Sequence, residues 1–336
     1  MKLQRKTENN GRAQGVLRLV LFCFIYTTLL IVLTACDKGE ERTKIGVILS
    51  GANQFDCMVM DEGIEDNAEK YGAKIVRSEE GFPTILESDI AALILSHYHS
   101  RERELIIRET HKIGIPVVLL NDPLPPDTHV EGYVKFDNFE AGKAIADFVV
   151  KRLNGSGNVI ILEGPRNDNV SRQLTLGIYR ILEKSEGIRV VADEYHPEWD
   201  ERLAAQTTRE TLNKYADNIQ AIIACSSELS MGAVKAVKER RLTDRIITAG
   251  IGAKLNACMA IKNGNHDAEV DRMLYERGIE ALSIAIAVAK DSDFGYDEEL
   301  GEQDPKIKVK FGPLRIITKE NISLMNKTWP QLDSGR

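Results

Sequence analysis

Lys44-Ile45-Gly46-Val47-Ile48-Leu49-Ser50 is an apolar run of strand length, and the amphipathic stretch 58–71 that follows it stops at Gly72. An uninterrupted β-branched run reads as a strand buried on both faces, and a periodic stretch closed by glycine reads as a helix with a left-handed C-terminus. Together they make one βα unit, and the chain repeats it. Short apolar runs at 45–49, 74–76, 91–95, 117–120, 133–136, 159–162, 190–194, 221–224 and 246–249 alternate with amphipathic stretches of 12 to 18 residues. This alternation predicts βαβ units around parallel sheets. Helices are expected at 58–71, at 141–153 before Asn154-Gly155, and at 176–184 before Gly187. A long apolar-rich helix over 272–290 carries Ile279, Leu282 and Ile286 on one face, which assigns it to core packing.

Outward toward the N-terminus the character changes. Lys2, Arg5, Lys6, Arg12 and Arg18 face a single acid, Glu8, and an uncharged run from Leu19 to Cys36 follows. That order is the one a secretory signal has, and the run is slightly short of the ~20 residues a membrane span needs. Leu33-Thr34-Ala35-Cys36 resembles the lipobox of bacterial lipoproteins, which implies lipidation of Cys36, cleavage before it and a body lipid-anchored outside the cytoplasm. The alternative is an uncleaved signal anchor, which leaves the body on the same side. Residues 37–43 are charged or small and suit a solvated tether. Removing the residues before Cys36 takes away five positive charges and one negative, so the formal charge of −7 becomes −11. So acidic a body excludes nucleic acid as a partner. Cys57, Cys225 and Cys258 are an odd, scattered trio, expected to be free and buried, with no disulfide framework.

Several ordered landmarks carry a resemblance. Residues 44–50, then Glu62-Gly63-Ile64 and Ala68-Glu69-Lys70-Tyr71-Gly72, are followed by Gly114-Ile115-Pro116-Val117-Val118 and Asp137-Asn138-Phe139-Glu140-Ala141-Gly142. Arg172 with Gly177-Ile178, the segment Ser227 to Val234 and the segment Leu314 to Asn321 complete the series. In this order they resemble the type 1 periplasmic binding protein family, the ribose- and galactose-binding group, from about Lys44 to Ile322. The resemblance implies an α/β fold of two Rossmann-like lobes with parallel sheets, joined by three crossovers. It divides the chain into a signal and lipidated cysteine (1–36), a tether (37–43), an N-terminal lobe (44–136 plus about 271–297) and a C-terminal lobe (137–270 plus about 305–330). Hinges are expected near Phe136, near Asp271 and after Asp293.

The resemblance places the ligand between the lobes at the C-terminal ends of the strands, as the general rule for open α/β sheets also does. The lining it implies is Asn53, Gln54, Phe55, Asp56, His97, Asn121, Asp122, Arg172, Ser226 and Asp271. Arg172 stands where the family has an arginine donating several hydrogen bonds to ligand. The sugar-binding pattern is otherwise broken: the aromatic pair after the first strand falls on Asp56 and Cys57 with Phe55 shifted by one, the aspartate of "GFD" is Gly252, and the late glutamine or asparagine is Asp271. Three carboxylates near one arginine and one imidazole could also suit an amine or amidine. Segment 78–89 is short, which predicts only a turn around 82–86. His97 and His99 lack a third ligand at metal-site spacing, and no nucleophile elbow, P-loop or HExxH pattern occurs. The expected function is capture of a small polar ligand, a sugar or related compound, for an ABC permease by hinge closure, with no cofactor, no metal and no catalysis. The alternative is a ligand sensor docking on a membrane histidine kinase. A LacI-type repressor would need a helix-turn-helix where the signal sequence stands.

Overall fold

The computed structural model describes residues 42–50, 54–77, 82–97, 99–215, 218–302 and 305–333. Cys36 and the expected signal and tether before Arg42 lie outside them, and no described helix is long and apolar enough to cross a membrane. The strands are β1 (Thr43–Ser50), β2 (Ala73–Val76), β3 (Ala92–His97), β4 (Val117–Leu120), β5 (Gly132–Lys135), β6 (Ser156–Glu163), β7 (Gly187–Tyr195), β8 (Ala221–Ala224), β9 (Ile247–Ile251), β10 (Ala268–Asp271), β11 (Glu298–Leu300), β12 (Ile307–Phe311) and β13 (Arg315–Ile317). The helices are α1 (Gln54–Asn67), α2 (Phe82–Leu86), α3 (Ser100–Lys112), α4 (Asn138–Arg152), α5 (Asn169–Leu182), α6 (Glu201–Lys214), α7 (Ser227–Glu239), α8 (Leu255–Lys262) and α9 (Leu274–Ala289).

Two sheets result, ordered β11-β12-β5-β4-β3-β1-β2 and β13-β10-β9-β8-β6-β7. The central pairs of both sheets, β1–β3–β4–β5–β12 and β10–β9–β8–β6–β7, are parallel, and the antiparallel pairs β11–β12 and β10–β13 close one edge of each sheet. The continuous apolar runs follow from burial on both faces. In the first sheet Ile94, Val118 and Val134 face the α1 and α9 layer, while Leu93, Val117 and Tyr133 face the side where Ile106 and Ile107 of α3 pack. In the second, Val159 and Ile161 face α4 and α5, and Ile160 and Leu162 face α6 and α7. Each lobe also joins one helix pair at reciprocal glycines. A Cβ on Gly63 of α1 would stand 2.1 Å from the Tyr275 carbonyl oxygen of α9, and one on Gly278 would stand 2.0 Å from that of Met60. Gly142 of α4 and Gly177 of α5 repeat this at 2.1 Å each. Backbone therefore lies against backbone, closer than any side chain permits.

The chain passes between the sheets after β5, after β10 and after β12. The third passage corrects the expected division. Residues 307–311 were assigned to the second lobe, but Ile307–Phe311 pairs with β5 in the first sheet, so the passage falls between Phe311 and Arg315. The segment 306–311 alternates charged and apolar residues next to the sheet edge, which hides it from a search for continuous runs. The expected reduced element is present as the five-residue helix α2, held by buried Ile85.

Candidate functional site

The cavity between the two sheets' C-terminal edges measures about 730 Å³. The first lobe contributes Phe55 and Asp56 from the opening turn of α1. The second contributes the β9–α8 loop from Gly252 to Asn256, with Met259 of α8. Asp271 and Arg272 enter at the second passage, and Met325, Thr328 and Trp329 come from the C-terminal tail.

Its charges are internally paired. Asp56 accepts a hydrogen bond from Arg272 at 3.1 Å. Asp271 accepts from Arg315 Nε at 2.8 Å and Nη2 at 2.7 Å, and its other oxygen accepts from the Met273 amide at 3.0 Å. Lys254 pairs with Glu228; burial pushes that carboxyl up, but the lysine, the Glu228 amide and the Ser226 hydroxyl together hold it below its ordinary value. Opposite stands an apolar wall of Leu255, Met259, Leu274 and Met325 with two aromatic rings. Phe55 and Trp329 stack with centroids 4.2 Å apart and planes 4° from parallel. The indole N–H donates to the Ala253 carbonyl at 2.9 Å, which fixes the ring's heading.

The β9–α8 loop is held from below. Fully buried Glu269 accepts from Ser230 (2.6 Å), Ser227 (2.8 Å) and the Ala253 amide (3.0 Å), and its Oε1 lies 3.1 Å from His266 Nε2. Gly252 has φ 134°, and a Cβ there would sit 2.8 Å from Ser227 Oγ. A side chain such as the family's aspartate would be strained by this φ and would press on the Ser227 hydroxyl.

The passages themselves converge on one cation. Arg277 is fully buried; its Nη1 donates to Asn121 Oδ1 at 2.6 Å and its Nη2 to the Arg272 carbonyl at 2.5 Å, while Nε has no partner. The guanidinium lies 5.1 Å from the Phe136 ring centre, and Gly312 is so close that a Cβ would meet Nε at 2.9 Å. One side chain thus touches the first, second and third passages. Burial, then the neighbouring Arg272, pushes its pKa down to about 9.

Of the residues expected to line the ligand, Phe55, Asp56 and Asp271 meet in the cavity. Gln54 is exposed and borders a separate depression with Ser50 and Arg77. Asn121 turns inward onto Arg277, and Asp122 accepts from the Ser96 hydroxyl at 2.6 Å. Ser226 caps α7 by accepting from the Leu229 amide at 3.2 Å. Arg172 is exposed on the first turn of α5, its nearest partner Asn169 at 3.4 Å. Asn53 and the His97 side chain lie outside the described residues. Pairing of Asp56 and Asp271 with arginines removes the surplus carboxylate that an amine ligand would need. Cys57, Cys225 and Cys258 are buried and unbridged, and burial pushes the Cys225 thiol up to about 12. Arg272, Trp329 and Arg277 were not anticipated. A tryptophan in a tail beyond the last helix, one of only two in the chain, is the signal that could have found Trp329.

A sequence model described as a periplasmic binding protein domain matches residues 45–293. The chain belongs to that family. As a periplasmic binding protein of the ribose-binding kind, it is 26% identical over 270 residues to a D-xylose-binding periplasmic protein of Haemophilus influenzae, covering 77% of this chain and 81% of the relative. It is 24% identical over 310 residues to a xylitol-binding protein of Mycolicibacterium smegmatis, covering 87% and 83%. Among solved structures, a sugar-binding protein of a Bacillus halodurans sugar ABC transporter superposes with TM-score 0.69 at 18% identity, covering 84% of this chain and 99% of the other. An arabinose-binding protein from Geobacillus stearothermophilus gives 0.68 at 18%, with the same shares. These likenesses confirm the two-lobed fold, and the family is one of binding proteins, not enzymes.

Proposed function

We propose that this periplasmic binding protein captures a small neutral polar solute, a sugar or related compound, and delivers it to a membrane ABC importer. The observation that carries this is the cavity between the lobes, with a self-neutralised polar side at Asp56, Arg272 and Asp271 and an apolar side ending in Phe55 and Trp329. A pocket of this size with few oriented polar groups suits a small ligand, and self-paired charges favour one without net charge. The names of the relatives, binding proteins for xylose, xylitol and ribose, support the same class.

Capture works by differential contact: a solute that touches both lobes favours the closed arrangement, and the three passages are where rotation occurs. Arg172, exposed on the first turn of α5, is the second lobe's proposed donor to the solute's oxygens on closure. The body is held at the membrane through lipid on Cys36. Calorimetry of the full chain against D-xylose, D-ribose, xylitol and myo-inositol tests capture, and the absence of heat with all four refutes it. Cys36→Ala is expected to move the chain from the membrane to the soluble fraction; retention in the membrane would instead indicate an uncleaved anchor.

A further inference from the structure

Phe55 and Trp329 belong to different lobes. Phe55 sits on α1, whereas Trp329 packs in the second lobe beside Leu255, Met259 and Ile322, over a core of Ala253, Cys258 and Met325. Two residues before it, Lys327 reaches back to α1 and donates to Asp66 at 2.8 Å, with its ammonium 3.6 Å from the Tyr275 ring centre. The tail therefore clasps the first lobe at both ends of α1, and the aromatic end of the clasp forms part of the cavity wall.

We propose, resting on the solute-capture function above, that Trp329 is the ring-contacting, specificity-determining residue of the site and that Phe55 is its internal competitor. The aromatic pair usual after the first strand is broken here by Asp56, so the stacking surface is supplied from the opposite end of the chain. A ligand must displace Phe55 from Trp329. Only a compound with a C–H ring face replaces that stack in kind, since the indole face attracts the positive edge of C–H bonds. An acyclic polyol has no rigid face to offer and orders its chain on binding. A charged amine finds Asp56 and Asp271 already paired. The site is thereby committed to neutral pyranoses and cyclitols over open-chain polyols and amines.

Trp199 is the only other tryptophan, so Trp199→Phe leaves Trp329 as the sole indole fluorophore. The full chain carrying this change is titrated with D-xylose, myo-inositol and xylitol, by calorimetry and by indole emission. The ring compounds are expected to shift Trp329 emission in step with the heat, and to bind about tenfold or more tightly than xylitol. Trp329→Ala is expected to weaken ring-compound binding about tenfold or more, Trp329→Phe to restore most of it, and Phe55→Ala to tighten it. Heat with unchanged indole emission, or equal affinity in Trp329→Ala, overturns the role of Trp329 while leaving solute capture intact. Unchanged or lost affinity in Phe55→Ala overturns the competitor role. Silence in both measurements with every compound overturns capture, and the stacking role with it.

Discussion

Glu131 and Asp267 hold matching places in the two lobes, yet they titrate in opposite directions. Glu131 precedes β5 and accepts from the Val117 amide at the start of β4 at 2.6 Å; Asp267 precedes β10 and accepts from the Thr248 amide of β9 at 2.9 Å. Each ties together the last two parallel strands before a passage. Burial pushes both carboxyls up. At Glu131 the bond from His111, at 3.2 Å, and the amide outweigh burial and hold it below its ordinary value. At Asp267 only the amide and the more distant charges of His266 and Arg152 oppose burial, and the group stays raised. The same backbone task is thus compatible with either sign, and the second partner decides which.

The fully buried charges differ in a parallel way. Glu269 in the second lobe has every oxygen engaged, whereas Arg277 in the first has one donor unmet and no carboxylate bonded to it. Glu269→Ala should be the most damaging change, costing about 3–5 kcal/mol because it strands buried donors, read as a shift of the urea midpoint. If it costs less than Arg277→Met, the contrast between saturated and unsaturated charge fails. Arg277→Met should cost less than Glu269→Ala, since it relieves a desolvated cation with one unmet donor and strands only two neutral acceptors. Its larger effect should be on solute affinity, because the three passages lose their common contact.

The smallest effects sharpen the strand-entry pair. A folded-state pKa below the unfolded one gives stability that is present above the unfolded value and lost as pH falls through the folded value. Glu131→Gln should therefore lower stability at neutral pH and flatten its decline below about pH 4.5, the ordinary value. Asp267 has the opposite sign: its contribution is present below its ordinary 3.8 and is lost as pH rises through the raised value. Asp267→Asn should keep the amide bond and leave neutral-pH stability equal or higher. Denaturant midpoints across pH 3 to 8 check both, and profiles that shift in the same direction would break the contrast.

Much of the fold was legible because buried parallel strands are written as unbroken apolar runs; β4 and β8 were placed with their observed bounds. Ala268–Asp271 was missed because it places Glu269 and Asp271 in a wholly buried strand, where charge normally argues for exposure. The site was harder to read. Phe55, Asp56 and Asp271 followed from position after a strand or at a passage, but Trp329 reaches the cavity through tail packing that no local pattern encodes. Arg277 looks like a surface residue in helical spacing and is instead fully buried.

The reciprocal glycines of α1 and α9 carry one more consequence. With Gly63 and Gly278 seated on each other's backbones, the two helices meet at their crossing with no side chain between them, an arrangement that suits movement as one body. The α9 end of this pair begins at the second passage, where Met273 holds a left-handed φ of 46° and the neighbouring Arg272 is bonded to Asp56, beside Phe55. In the proposed closure, a torsion at that passage would carry the Phe55 and Asp56 edge of the cavity with it, and the coupling of hinge to pocket would rest on a pair of missing methyl groups.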